Sequence, residues 1–340
     1  MDSITQMVLG AATGQAVLGK EAKNKALLWG AVAGTIPDMD IIPRLFSDTV
    51  TGLEIHRGFS HSLLFAIAGP LLFGPLVAVI HNKLKISWQK WAQLFFWGIL
   101  THLMLDNFTT WGTQVFYPHE HRVAWRTIFV IDPLYTLPFF TLVVTVLFFK
   151  DHKKRQMFNY LAIGISSFYL LITIVNKNVA NNVFEKETGR QGIVYNRFET
   201  NPTPFNSILW YANIETDSGF YVGNYSLLDT DSKIEFVFFP KNYHLLENYQ
   251  QNNNLQRLLK LTRGFYTVKK LNNRILINDL RFGAADIIHS EKSEFAFSYL
   301  LHTDENDSSQ ITSIEWLRAG SEVRTSKIEE YLQRLRGIKP

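Results

Sequence analysis

Residues 58–82, GFSHSLLFAIAGPLLFGPLVAVIHN, decide how the chain is read, because no Asp, Glu, Lys or Arg occurs between Arg57 and Lys83. A helix needs about 20 apolar residues to cross roughly 30 Å of hydrocarbon, and this stretch is long enough. Residues 156–176 are equally free of these charges, and 91–105 and 133–149 are shorter runs of the same kind. Mean hydropathy over the whole chain is near zero, so the apolar residues are segregated rather than few. From residue 178 onward the chain is instead polar, Asn-rich and aromatic.

This pattern predicts a membrane α-helical bundle of about five to six membrane helices, over residues 3–19, 25–42, 60–81, 91–107, 127–149 and 157–177. Residues 1–177 form the membrane-embedded helical domain, and 178–340 a mixed, mostly antiparallel β-rich soluble domain. The N-terminus carries Asp2 and no basic n-region, so the first apolar stretch is expected to be retained. Within the first two helices Gly10, Gly14, Gly30 and Gly34 stand four apart. Such spacing either permits close helix approach or reflects how common glycine is in membrane helices.

The connecting loops alternate in charge. Lys20, Lys23 and Lys25, then Lys83, Lys85 and Lys90, then Lys150, Lys153, Lys154 and Arg155 share one side, whereas the other side carries Arg44, Arg57, Arg122 and Arg126. Lysine and arginine accumulate in cytoplasmic loops. Loops 43–59 and 108–126 and the C-terminal domain are therefore expected outside a cytoplasmic (inner) membrane. The net charge of +4 is small and sits at these loops, which argues against a nucleic-acid partner and leaves membrane lipids as the expected surroundings. The chain has no cysteine, so it forms no disulfide, and any metal must be held by nitrogen and oxygen.

In the C-terminal half, β-branched and aromatic alternation marks strands at 207–214, 219–227 and 233–239. A helix is expected over 243–261, then a hairpin of 264–271 and 274–281 turning at Asn272-Asn273. Strands 294–301 and 310–317 follow, and a short amphipathic helix through Ile328, Tyr331, Leu332 and Leu335 closes the chain. His244, His289 and His302 stand alone and read as surface or packing residues.

The polar residues that interrupt the apolar pattern gather on the outer side. Asp38 and Asp40 follow Pro37 at the end of the second segment, and both can face one cation if the backbone is extended there. His56 and His61 flank Arg57 and Gly58 at the entrance to the third helix, with Ser60 as a candidate N-cap. His102 and Asp106 are spaced i, i+4 and share a helix face. Asp132 precedes Pro133 near the fifth helix, where a catalytic carboxylate and a helix start compete as readings. His119 and His121 lie in the preceding loop. Topology was assigned from lysines alone, yet it sends all of these groups to one face.

At these residues the chain resembles the YdjM family of bacterial membrane-bound metal-dependent hydrolases. The resemblance covers about residues 1–150 and is carried by Met1-Asp2-Ser3-Ile4-Thr5, Pro37-Asp38-Met39-Asp40, His56-Arg57-Gly58-Phe59-Ser60-His61-Ser62, and His102 with Asp106. Members often carry a His shortly after the start, where this chain has Gln6. Asp38, Asp40, His56, His61, His102 and Asp106 are the expected ligands of one or two divalent metals, zinc foremost, with manganese, iron or magnesium as alternatives. Arg57, with Arg122, is expected to bind an anionic group, and Asp40, Asp106 or Asp132 to act as general base. The expected reaction is hydrolysis of a lipid or other amphiphilic, phosphate-bearing substrate. A metal-stabilised scaffold presenting the outer domain to an envelope partner is the alternative, and transport of an ion or lipid ranks below both.

Overall fold

The computed structural model describes residues 1–271, 274–284, 294–303, 310–318 and 325–339. The Asn272-Asn273 turn and His289 lie outside them. The chain forms two compact units. The first comprises Met1–Ser47, Glu54–Ile174 and Pro204–Asn206, and the second comprises Asp48–Leu53, Val175–Thr203 and Ser207–Pro340.

The helices of the N-terminal half are α1 (Ser3–Ala22), α2 (Asn24–Thr35), α3 (Ile41–Arg44), α4 (Thr49–Ile55), α5 (Leu63–Ile80), α6 (Trp88–Asn107), α7 (Pro133–Val146) and α8 (His152–Arg190). Side-chain caps set several starts by satisfying N–H groups that have no partner within the helix. Asp2 accepts from Thr5 to open α1, Ser62 from Phe65 to open α5, and Asp132 from Leu134 and Tyr135 to open α7. Ser62 rather than Ser60 is thus the cap of α5, and His61 ends a short 3-10 turn, Phe59–His61, just before it. The fifth helix begins at Pro133 and not near 127, since proline suits a first helical position that needs no N–H donor.

The second apolar segment is not one helix. α2 ends at Thr35, Ile36–Asp40 winds as a 3-10 helix with Pro37 in its first turn, and α3 follows. Among the described residues two helices, Leu63–Ile80 and His152–Arg190, are long and apolar enough to cross a membrane, and Pro133–Val146 is a shorter apolar helix. α8 continues well past residue 177, where a polar sequence extends the apolar run.

Glycine spacing in α1 and α2 serves close approach. A Cβ on Gly10 would stand 2.2 Å from the Gly30 carbonyl oxygen, one on Gly14 2.2 Å from that of Ala26, and one on Gly34 2.4 Å from that of Gln6. α6 closes on α2 and α5 by the same device, since a Cβ at Gly98 would lie 2.7 Å from Ala33 Cβ and one at Gly74 2.7 Å from Ala92 Cβ. The first turn of α1, the end of α2, the entrance to α5 and the end of α6 consequently meet at one end of the bundle.

The second unit holds two four-stranded antiparallel sheets, each in sequential order. The first is β1 (Arg197–Pro202), β2 (Leu209–Glu215), β3 (Gly219–Ser226) and β4 (Val237–Pro240), and the second β5 (Tyr266–Leu271), β6 (Arg274–Ala284), β7 (Phe295–Thr303) and β8 (Ile311–Arg318). Trp210, Ala212 and Ile214 of β2 pack with Ala180 and Phe184 of α8. Phe220, Val222, Phe239, Phe265, Leu280 and Phe295 form a second core. Strand β1 is not foreseen, because RFETNP is polar and its Thr200 and Asn201 are buried as polar residues. The helix expected over 243–261 is divided into a 3-10 segment, Tyr243–Tyr249, and α9 (Asn253–Leu261), where Asn252 caps the new start. The closing helix, α10, spans Thr325–Leu335.

Overpacking a close helix contact typically costs about 1–3 kcal/mol. Gly30→Val should therefore lower the thermal midpoint of the detergent-purified protein by several degrees. Gly164→Ala, where an added Cβ meets nothing within 4 Å, should leave it near the wild-type value.

Candidate metal centre

The paired imidazoles of His61 and His102 form the centre, with their Nε2 atoms 3.0 Å apart. Each ring is held from behind by its other nitrogen. His102 Nδ1 lies 2.7 Å from the Gly34 carbonyl oxygen, which can only accept, so the proton sits on Nδ1 and Nε2 offers a lone pair. His61 Nδ1 faces Asp40 Oδ2 at 3.4 Å and Ser60 Oγ at 3.0 Å, which likewise turns Nε2 to the centre. Outer partners of this kind fix the tautomer and aim of a ligating imidazole.

Two carboxylates complete the group. Asp38 Oδ1 is 3.3 Å from His61 Nε2 and 3.6 Å from His102 Nε2, and Asp106 Oδ2 is 3.5 and 3.7 Å from the same atoms. One ligand atom from each of these four residues lies within 4.8 Å of the others, so the set can hold a metal ion. His61, His102 and Asp106 are fully buried, whereas the Asp38 side chain keeps 18 % of its surface open. Asp106 Oδ2 is buried and accepts no hydrogen bond. The Arg57 Nε lies 2.9 Å from this oxygen, so one cation already faces it, and two imidazole nitrogens with two carboxylate oxygens suit a hard or borderline divalent ion.

Asp40 and His56 stand one layer out. Asp40 Oδ1 meets His56 Nδ1 at 3.2 Å, and Oδ2 accepts from the Arg57 N–H at 2.7 Å. Their separation from the centre follows from the backbone. The 3-10 helix has about three residues per turn, so Asp38 and Asp40 diverge, where an extended chain would have aimed both one way. Burial alone would raise the Asp40 carboxyl, but the His56 hydrogen bond, the nearby imidazoles and the Arg57 N–H hold it below the usual carboxylate range. Burial pulls the His56 and His61 imidazoles below their usual range, so they favour the neutral form that a metal needs.

Arg57 is buried, with its Nε 2.9 Å from Asp106 Oδ2 and its guanidinium donating to Thr109 Oγ1 at 2.7 Å. Gln6, where family members often carry a histidine, packs against the centre, and its Oε1 is buried without a hydrogen-bond partner. Its Nε2 donates to Asp106 Oδ1 at 2.8 Å and to the His102 carbonyl at 3.3 Å, and the Met1 nitrogen pairs with the same carboxylate. Arg122 is spent on backbone, donating to the carbonyls of His56 at 2.7 Å and Glu54 at 3.0 Å. Asp132 caps α7 and accepts from the Tyr169 hydroxyl at 2.9 Å. His119 and His121 are exposed and outside the cluster. Sequence reasoning did not find Thr109 or the Gly34 carbonyl; a threonine three residues after Asp106 carries only a faint signal, and a backbone oxygen carries none.

The model of the YdjM inner membrane protein family matches residues 1–180. The inner membrane protein YbcI of Escherichia coli (strain K12) is 28% identical over 117 residues, which cover 33% of this chain and 63% of that protein. The chain therefore spans just under two thirds of that relative's length. No solved structure matches. The family match takes in more than half of the chain and all four residues of the centre: the chain belongs to the YdjM inner membrane protein family.

Proposed function

We propose that this protein is a membrane-bound metal-dependent hydrolase of the cytoplasmic membrane, with zinc at the His61–His102 centre, acting on a lipid or other amphiphilic phosphoester at the outer face. One observation carries the reading: two imidazole lone pairs and two carboxylate oxygens converge, each ring braced from behind, on a point that could hold a metal ion. In this reading α1, α2, α5–α7 and residues 157–177 of α8 lie in the bilayer, with the lysine-rich ends in the cytoplasm and the C-terminal domain outside.

A bound divalent ion supplies Lewis acidity and makes an attacking water more acidic. The chain's own residues do the rest. His61, His102, Asp38 and Asp106 would hold the ion; Asp40 and the Gly34 carbonyl orient the two rings. Asp38 marks the side open to substrate and water. Met39, Ile41, Ile42, Leu45 and Phe46 expose large apolar surfaces near it in sequence, which favours a substrate with an acyl portion. Asp132, fastened to α7 and Tyr169, takes a structural part in this scheme.

A second reading keeps the metal and drops the reaction. Four protein donors, three of them fully buried, are what a closed structural site uses, and the bundle would then present the C-terminal domain to an envelope partner.

His61→Ala and His102→Ala should each remove bound zinc from the purified protein, measured by elemental mass spectrometry; retention of full stoichiometry by both would sink the metal assignment. Because burial depresses the His61 imidazole, protons should compete with zinc only below the ordinary imidazole range of about 6.5. Zinc occupancy should thus hold as pH falls from 8 to 6.5 and drop only on further acidification. Hydrolysis of a phospholipid or a phosphodiester detergent should vanish on chelation, return with zinc, and fall at least ~100-fold in Asp38→Ala, a size expected of metal-centred catalysis. Zinc-loaded protein with no such hydrolysis favours the scaffold.

A further inference from the structure

The geometry points to Arg57 as the positioning residue that aims Asp106 at the ion, rather than as a receptor for a substrate anion. This rests on the metal reading above. Arg57 is 3% exposed, and its guanidinium meets both the last turn of α6 and the residues just past it. Nε lies 2.9 Å from Asp106 Oδ2, and NH1 donates to Thr109 Oγ1, which itself donates to the Asp106 carbonyl at 2.7 Å. The same Oδ2 faces the Nε2 atoms of both histidines. The guanidinium thus pairs with the carboxylate from the Oδ2 side, while Gln6 Nε2 and the Met1 nitrogen hold Oδ1.

The backbone of Arg57 does matching work on the other carboxylate. Its N–H donates to Asp40 Oδ2 at 2.7 Å, the oxygen that lies behind His61 Nδ1. Its carbonyl accepts from the Gln114 N–H at 3.0 Å. The residue holds φ at 58°, in the left-handed region, where a side chain other than glycine is uncommon. One residue therefore secures Asp40 through its main chain and Asp106 through its side chain. A substrate phosphate could reach this guanidinium only by displacing Asp106 from it.

Zinc titration of the full chain in detergent by calorimetry tests the assignment, using Arg57→Gly, Arg57→Lys, Asp106→Ala and the Arg57→Gly/Asp106→Ala double variant. Glycine suits the positive φ and keeps the N–H to Asp40, so Arg57→Gly removes the guanidinium alone. It should weaken zinc about 10–100-fold, as loss of a ligand's outer partner does. Arg57→Lys should recover only part of that, because an ammonium lacks the planar fork that reaches Asp106 and Thr109 together. The double variant should bind as Asp106→Ala does, within about twofold, since interacting residues are not additive. If Arg57→Gly does not fold, Arg57→Lys and Arg57→Lys/Asp106→Ala carry the same comparison. Equal losses with and without Asp106 overturn the inference. So does unchanged zinc binding accompanied by lost binding of inorganic phosphate. A wild type that binds no zinc overturns the metal reading as well, whereas a wild type that loses zinc with His61→Ala but is indifferent to Arg57 overturns this inference alone.

Discussion

The backbone contact between α1 and α2 is the constraint on which the rest of the bundle depends. Gly34 meets the main chain of Gln6, and Gly10 meets that of Gly30 and Gly34, at distances where no Cβ would fit. That contact fixes two groups at once. The Gly34 carbonyl is brought to His102 Nδ1, and the Gln6 amide is brought to Asp106. α6 then carries both of its functional side chains on one face, one turn apart, and closes on α2 at Gly98. In a bilayer, where lipid is as apolar as the helices, small residues of this kind provide the packing that hydrophobic burial provides in water.

Electrostatics accounts for the layered character of the centre. Two carboxylates, one of them fully buried, and two imidazoles in one pocket are unstable together unless positive charge balances them. Arg57 and the Met1 ammonium supply charge beside Asp106, and in the reading proposed above an ion between the rings would add more. Asp40 sits farther out, where it meets His56 and the Arg57 N–H instead of the centre. The order from inside to outside is therefore the four candidate metal-holding side chains, then the groups that orient them, then Arg122 holding the carbonyls of the loop that carries His56 and Arg57.

Much of this is legible in the sequence because charge is so sparse in the apolar segments. His102 and Asp106 stand out within a helix that is otherwise apolar toward its end, and their i, i+4 spacing translates directly into shared direction. The division of labour between Asp38 and Asp40 is not legible, since it depends on residues 36–40 winding as a 3-10 helix rather than extending, and Pro37 is compatible with either. The role of Arg57 is hidden for a similar reason. A basic residue between two histidines suggests an anion site, and only the positive φ turns its side chain inward against Asp106. Strand β1 escapes because its buried residues are polar, which defeats an alternation rule built on apolar side chains.

His102 is oriented by a main-chain oxygen, and that has a consequence for how the centre can change over time. Most supports around a ligand can be exchanged one codon at a time, as carboxylate for amide or amide for hydroxyl, and the tuning of the ion drifts with them. The Gly34 carbonyl is not a side chain, and the only residue that lets α1 approach it is one that has none. A substitution at that position would disturb helix packing and the support of His102 together, because the close approach and the carbonyl belong to one residue.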